Sequence, residues 1–134
     1  MESGQLAYAE SVSVLIVDDD GAIRETVQEI LQDEGYTVAI AANGADGLRV
    51  LEAVRPKLIV LDLNMPVLSG GEFRRVQRLD PSLRGIPTVV FTAAGRARES
   101  AVDLEADGYL AKPITLADLL AVVQRFCGTG VQKE

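Results

Sequence analysis

The chain has 134 residues, 48% of them hydrophobic and 25% charged, with a formal net charge of −7. That length fits one domain with a real core and is too short for a second module with its own. The negative balance argues against nonspecific nucleic-acid binding, which needs Lys and Arg clustered on one face. With no histidine and a single cysteine, Cys127, neither an imidazole or thiolate zinc site nor an internal disulfide can form, so any metal must be held by oxygen. No apolar run approaches the roughly 18 residues of a membrane span, and Met1-Glu2-Ser3-Gly4 lacks the basic start and apolar block of a signal peptide. A cytoplasmic location is the expectation.

Short β-branched runs alternate five times with stretches of helical period, the pattern of βα units on a parallel sheet. The strands are expected over Val12 to Val17, Tyr36 to Ile40, Leu58 to Leu61, Thr88 to Phe91 and Tyr109 to Ala111. Most are nearly continuously apolar, as strands buried on both faces should be. Asp20 reads as the N-cap of a first helix whose stripe is Ile23, Val27, Ile30 and Leu31, and Gly35 as its stop. Asn43 caps a second helix bearing Leu48 and Leu51, and Pro56 separates it from the third strand. Ser69 and Glu72 have capping-box spacing ahead of a third helix expected to bury Phe73, Val76 and Leu79 and to end at Pro81. Its Arg74, Arg75 and Arg78 read as a solvated face.

The fourth helix, within Gly95 to Ala106, is the poorest, with only Ala101, Val102 and Leu104 as an apolar stripe. It is expected to be the most mobile. Thr115 and Asp118 repeat the capping device before Leu116, Leu119, Val123 and Phe126. The whole of 1–134 therefore reads as one α/β domain with a core from about 12 to 126. Residues 1–10 and 128–134, which show no sustained period, are expected to fray.

Four features lie just past apolar strands: Asp18-Asp19-Asp20, Asp62 with Asn64-Met65-Pro66, Thr92, and Lys112-Pro113. Right-handed crossovers bring all such strand ends to one edge of a parallel sheet, where ligands bind at the point of reversed strand order. Carboxylates gathered there repel: two charges about 4 Å apart interact by roughly 4 kcal/mol at an effective dielectric near 20. Lys112 offsets one charge, and a divalent cation is the natural remainder. With two or three carboxylates and oxygen donors only, Mg2+ keeping some of its waters fits better than a Ca2+ cage. A carboxylate beside a cation, a lysine and a hydroxyl suits phosphoryl transfer onto Asp62, because the transferring group's oxygens need cationic and hydrogen-bonding partners.

These four separated motifs, in this order between about Val12 and Phe126, resemble the response-regulator receiver domain of two-component signalling, the chemotaxis receiver included. The resemblance implies a flavodoxin-like, doubly wound (βα)5 domain with five parallel strands in the order 2-1-3-4-5. It implies that Asp62 takes a phosphoryl group from a phosphohistidine on a partner histidine kinase or phosphotransfer protein. Asp19, Asp62 and the backbone carbonyl of Asn64 would bind Mg2+ directly, and Asp18 largely through a metal-bound water. Lys112 would contact Asp62 and then the phosphoryl group, Thr92 would hydrogen-bond a phosphoryl oxygen, and Tyr109 would turn inward as Thr92 moves. The Lys112-Pro113 bond would be cis, and Asn64 and Ala94 occupy positions that influence how long the phosphate lasts. Such a protein catalyses only its own phosphorylation and dephosphorylation and is not a turnover enzyme. Its output partner, and whether it forms a homodimer, are left open by the sequence.

One departure stands out. Receiver domains commonly read Leu-Glu-Ala-Gly-Ala-Asp-Gly-Tyr before the fifth strand, whereas here the run is Leu104-Glu105-Ala106-Asp107-Gly108-Tyr109, two residues short. The phosphate chemistry is expected to survive this, and the relay through Thr92 and Tyr109 is the part at risk. A docking receiver with a degenerate switch is thus the second reading. A Mg2+-dependent phosphohydrolase is a third, disfavoured because Asn64, and not a second acid, follows Asp62 at two residues.

Overall fold

A computed structural model describes residues 12–65 and 67–129. Along the chain run β1 (Val14–Val17), α1 (Gly21–Asp33), β2 (Val38–Ala41), α2 (Gly44–Val50), β3 (Leu58–Asp62), α3 (Gly70–Leu79) and β4 (Thr88–Ala93). A 3-10 turn (Ala94–Arg96), α4 (Ala97–Asp103), β5 (Gly108–Lys112) and α5 (Leu116–Cys127) complete it. The five strands are all parallel, in the order β2-β1-β3-β4-β5, so the sheet reverses direction of growth between β1 and β3.

Strand alternation sends successive side chains to opposite faces, and each face is sealed by its own helices. Val14, Ile16, Leu58, Val60, Val89 and Phe91 pack with Val27 and Leu31 of α1 and Leu119 and Val123 of α5. Leu15, Val17, Ile59 and Leu61 pack on the other face with Leu51 beyond α2 and Phe73 of α3. β1 and β3 are buried along their whole length, which explains their unbroken apolar sequences. Four expected caps form: Asp20, Asn43, Ser69 and Thr115 each accept backbone N–H bonds at a helix start, and Ser69 with Glu72 makes the full reciprocal box. Gly35 has the left-handed φ of 94° that a helix stop favours.

Several expectations fail, each for an identifiable reason. α3 buries Phe73 but leaves Val76 and Leu79 exposed, the latter at 76%. Arg74 and Gln77 take the inner positions because both find hydrogen-bond partners there, so the arginine cluster is not one solvated face. Val102 and Leu116 also face outward, and α4 is held through Ala97 and Ala101. Tyr36 precedes β2 instead of opening it, and its hydroxyl donates to the carbonyl of Gly128 at 2.6 Å. That bond anchors the first residue of the expected C-terminal tail. Residues 1–10 and 130–134 of the two expected tails lie outside the described residues.

The apparent two-residue loss before Tyr109 disappears in three dimensions. α4 closes in a Schellman turn: the N–H of Ala106 reaches the carbonyl of Ala101 at 2.9 Å, and that of Glu105 reaches Val102 at 3.1 Å. Glu105 sits at φ 52°, the left-handed position where glycine is usual, four residues before Tyr109. The family's eight-residue run therefore matches Val102 to Tyr109, with Glu105 in place of its glycine. The turn is complete, and the motive for a degenerate switch goes with the gap.

The burial pattern of α3 sets a test. Phe73→Ala is expected to cost about 3–5 kcal/mol in urea unfolding through the cavity it leaves. Leu79→Ser should stay within about 0.5 kcal/mol of the parent, as a surface change does.

Candidate functional site

β1 and β3 end side by side at the reversal point, and their last turns deliver the acidic residues. Asp18 follows Val17, which pairs in register with Leu61, so Asp18 lies beside Asp62. Both carboxylates are buried, Asp18 at 0% and Asp62 at 1% exposure, while Asp19 is exposed. One carboxylate oxygen from each of the three lies within 4.8 Å of the others. β5 brings Lys112 to the same edge, in register with Ala93. Its ammonium is 3.2 Å from Asp62 Oδ1 and 3.7 Å from Asp18 Oδ2, and 4.9 Å from the centre of the Phe91 ring beneath it. The Lys112-Pro113 peptide is cis.

Hydrogen bonds satisfy half of the buried carboxylate oxygens. Asp18 Oδ1 accepts from the N–H of Asp20 at 2.8 Å, and Asp62 Oδ1 accepts from the N–H of Asn64 at 3.3 Å as well as from Lys112. The other two, Asp18 Oδ2 and Asp62 Oδ2, are buried with no hydrogen-bond partner. Buried acceptors without a hydrogen bond are costly and rare, and with Asp19 these two carboxylates form a group that could hold a cation. The Asp62 carboxyl accordingly holds its proton to about pH 6, against an ordinary value of 3.8. Burial is the main cause and the Asp18 charge the second, opposed by the Asn64 N–H and Lys112.

Thr92, buried in β4, joins Leu63, Asn64, Ala93, Arg96 and Ser100 around a cleft of about 270 Å³ beside Asp62. Tyr109 lies on β5 opposite Val90 and is 46% exposed. All the residues singled out in the sequence thus stand along one sheet edge or on the strand leading to it. One neighbour carried no such signal. Arg24, on α1, donates to the Asp18 carbonyl at 2.7 Å and pins the acidic loop, yet in sequence it reads as an ordinary helix arginine. Gly70 touches the loop after Asp62 so closely that an added Cβ would lie 2.6 Å from the Asp62 carbonyl, which accounts for a glycine at the start of α3.

The residues from 14 to 124 match the family model of the response regulator receiver domain. The chain belongs to that family. It is 41% identical over 113 residues to the response regulator MprA of Mycobacterium ulcerans, covering 83% of this chain and 48% of that protein. It thus spans about half the length of such curated relatives. An uncharacterised 14.6 kDa protein of Leptolyngbya boryana is 36% identical over 119 residues and is covered to 90%, against 87% of this chain. Among solved structures, the Vibrio cholerae chemotaxis protein CheY4 superposes with a TM-score of 0.78 at 34% identity, over 87% of this chain and 99% of its own. The receiver domain of the Pseudomonas aeruginosa sensor histidine kinase PA1611, solved with magnesium in its active-site cleft, superposes with a TM-score of 0.78 at 30% identity. That match covers 90% of this chain and all of the other. The flavodoxin-like receiver fold is therefore established. No helix among the described residues is long and apolar enough to cross a membrane.

The raised proton affinity of Asp62 has a thermodynamic sign. A carboxyl whose folded pKa exceeds its unfolded one binds protons more tightly when folded, so stability falls as pH rises from about 4 through about 6 and the penalty is complete above that. In metal-free buffer, Asp62→Asn should unfold with about 1–3 kcal/mol more stability than the parent near pH 7.5, the advantage vanishing toward pH 4. Denaturant titrations at the two pH values measure it.

Proposed function

We propose that the protein is a phosphoacceptor switch: Asp62 takes a phosphoryl group from a partner histidine kinase or histidine phosphotransfer protein, in a Mg2+-dependent reaction, and the domain changes conformation to signal. The observation that carries this reading is the pair of buried carboxylate oxygens without a hydrogen bond, on Asp18 and Asp62, beside Lys112.

The donor set fits the metal. Asp19 and Asp62 would hold Mg2+ with the Asn64 carbonyl, and Asp18 would act largely through a metal-bound water. Bound there, Mg2+ would neutralise carboxylate charge and polarise the phosphoryl oxygens. The chain's own groups do the rest. A carboxylate oxygen of Asp62 forms a bond to phosphorus in line with the breaking P–N bond, whose electron pair leaves with the imidazole nitrogen of the donor, which takes up a proton from solvent. Lys112, held between Asp18 and Asp62 in the resting state, can transfer its hydrogen bond to a phosphoryl oxygen. Thr92, one residue beyond the register of Asp62 on the adjacent strand, supplies a hydroxyl to another. Drawing Thr92 toward the phosphoryl group would open space into which Tyr109, half-exposed at rest, can turn.

In this reading the protein is its own substrate and turns over no other. The attacking carboxylate must be ionised, so the reaction should slow below the region where Asp62 takes up its proton. Acetyl phosphate with Mg2+ is expected to add one acid-stable, base-labile phosphate, detected as a mass gain that Asp62→Ala abolishes. Lys112→Ala should slow the gain by about 10²-fold or more, the usual loss when a charge-stabilising donor is removed. An unmodified parent, or equal labelling of Asp62→Ala, would refute the proposal.

A further inference from the structure

α3 departs from its apolar pattern in a way that reaches across the molecule. Arg74 and Gln77 are buried on it, at 6% and 0% exposure. Their partners come from three other segments. Arg74 donates through Nε to the carbonyl of Leu104 at 3.0 Å, through Nη2 to the carbonyl of Glu105, and through Nη1 to Gln77 Oε1 at 2.9 Å. Gln77 Nε2 donates to the carbonyls of Leu83 and Ile86 at 3.1 and 3.0 Å, and its Oε1 also accepts from the Thr88 hydroxyl at 3.1 Å. Asp107 closes the circuit by accepting from the Thr88 N–H at 2.8 Å. Outside, Arg78 pairs with the Glu105 carboxylate at 2.6 Å.

These bonds converge on the turn between α4 and β5. The carbonyls of Leu104 and Glu105 lie past the last turn of α4, where no helical N–H can reach them, and the planar guanidinium fork spans both. The same turn carries Glu105 in its left-handed conformation, an arrangement that persists only where surrounding contacts hold it. At its other end α3 is seated on the acceptor loop: the Gly70 N–H donates to the Leu63 carbonyl at 3.3 Å, and its Cα lies against the Asp62 backbone. One ten-residue helix therefore connects the loop after Asp62 with the turn that leads into β5, the strand of Tyr109 and Lys112.

We propose that Arg74 and Arg78 are positioning residues that latch the α4–β5 turn in the resting state and so set how readily Asp62 is modified, an inference that rests on the phosphoacceptor reading above. The latch stabilises the arrangement in which Tyr109 is out and Lys112 bridges Asp18 and Asp62. A ligand that favours the alternative arrangement must work against the latch. By reciprocity of coupled equilibria, weakening the latch strengthens that ligand.

Beryllofluoride with Mg2+, a phosphoryl mimic, serves as the probe, alongside amide hydrogen exchange of the metal-free protein. Arg78→Gln removes only the outer ion pair, and Arg74→Lys keeps the charge but loses the fork. Arg74→Lys is expected to speed exchange in residues 97–110 by about tenfold, relative to unchanged β1 and β3, and to tighten beryllofluoride binding severalfold, whereas Arg78→Gln, which loses an exposed pair, should move both in the same direction by about twofold. Arg75→Gln, one position away and exposed, should change neither. A parent that binds beryllofluoride, with Arg74→Lys within twofold of it and with unaltered exchange, overturns the latch alone. Faster exchange extending equally into β1 and β3 means a merely structural role and also overturns it. A parent that binds no beryllofluoride overturns the phosphoacceptor reading and the regulatory role together.

Discussion

Three carboxylates share a few ångströms at the carboxyl edge of the sheet, and the single ammonium of Lys112 leaves their charge incompletely balanced. Two of the carboxylates are almost fully out of water, so the repulsion acts in a medium that screens it poorly. The fold tolerates this because rigid strands hold it in place. β1 and β3 are hydrogen-bonded along their length and buried on both faces, and Asp18 and Asp62 have little freedom to separate. The same geometry that destabilises the cluster is what suits it, under the proposed function, to a cation and to the oxygens of a phosphoryl group. The raised proton affinity of Asp62 expresses that tension in a measurable form.

Much of the surrounding arrangement follows from keeping this edge in register. Arg24 fixes the Asp18 carbonyl, Gly70 admits the start of α3 against the Asp62 loop, and the Phe91 ring lies under the Lys112 ammonium. These contacts come from α1, α3 and β4, so the acidic site is braced by elements on both faces of the sheet. The strands deliver the reactive groups, and the helices determine how far those groups can move.

Strand ends and helix caps were legible in the sequence because their causes are local. An apolar run followed by an acid, or Ser69 three residues before Glu72, carries its physical reason within a few positions. The inward face of α3 was not legible, since Phe73, Val76 and Leu79 have a plausible helical spacing and Arg74 looks like a surface residue. What buries Arg74 lies 30 and 31 residues further along the chain, in the carbonyls of Leu104 and Glu105. The turn before Tyr109 was not legible for a related reason. Its signal is normally a glycine, and here Glu105 adopts the glycine conformation, so residue identities alone place the motif two positions off.

The direct test of the account is the titration of the Asp62 carboxyl itself. Carbon-13 resonances of the aspartate side chains, assigned through Asp62→Asn and followed from acid to neutral pH without metal, should place the Asp62 midpoint near pH 6. Saturating Mg2+ should move that midpoint down by at least about one unit, because cation and proton compete for the same oxygens. An Asp62 that titrates at its ordinary 3.8 and ignores Mg2+ would contradict the claim that an uncompensated carboxylate cluster lies at the centre of this protein.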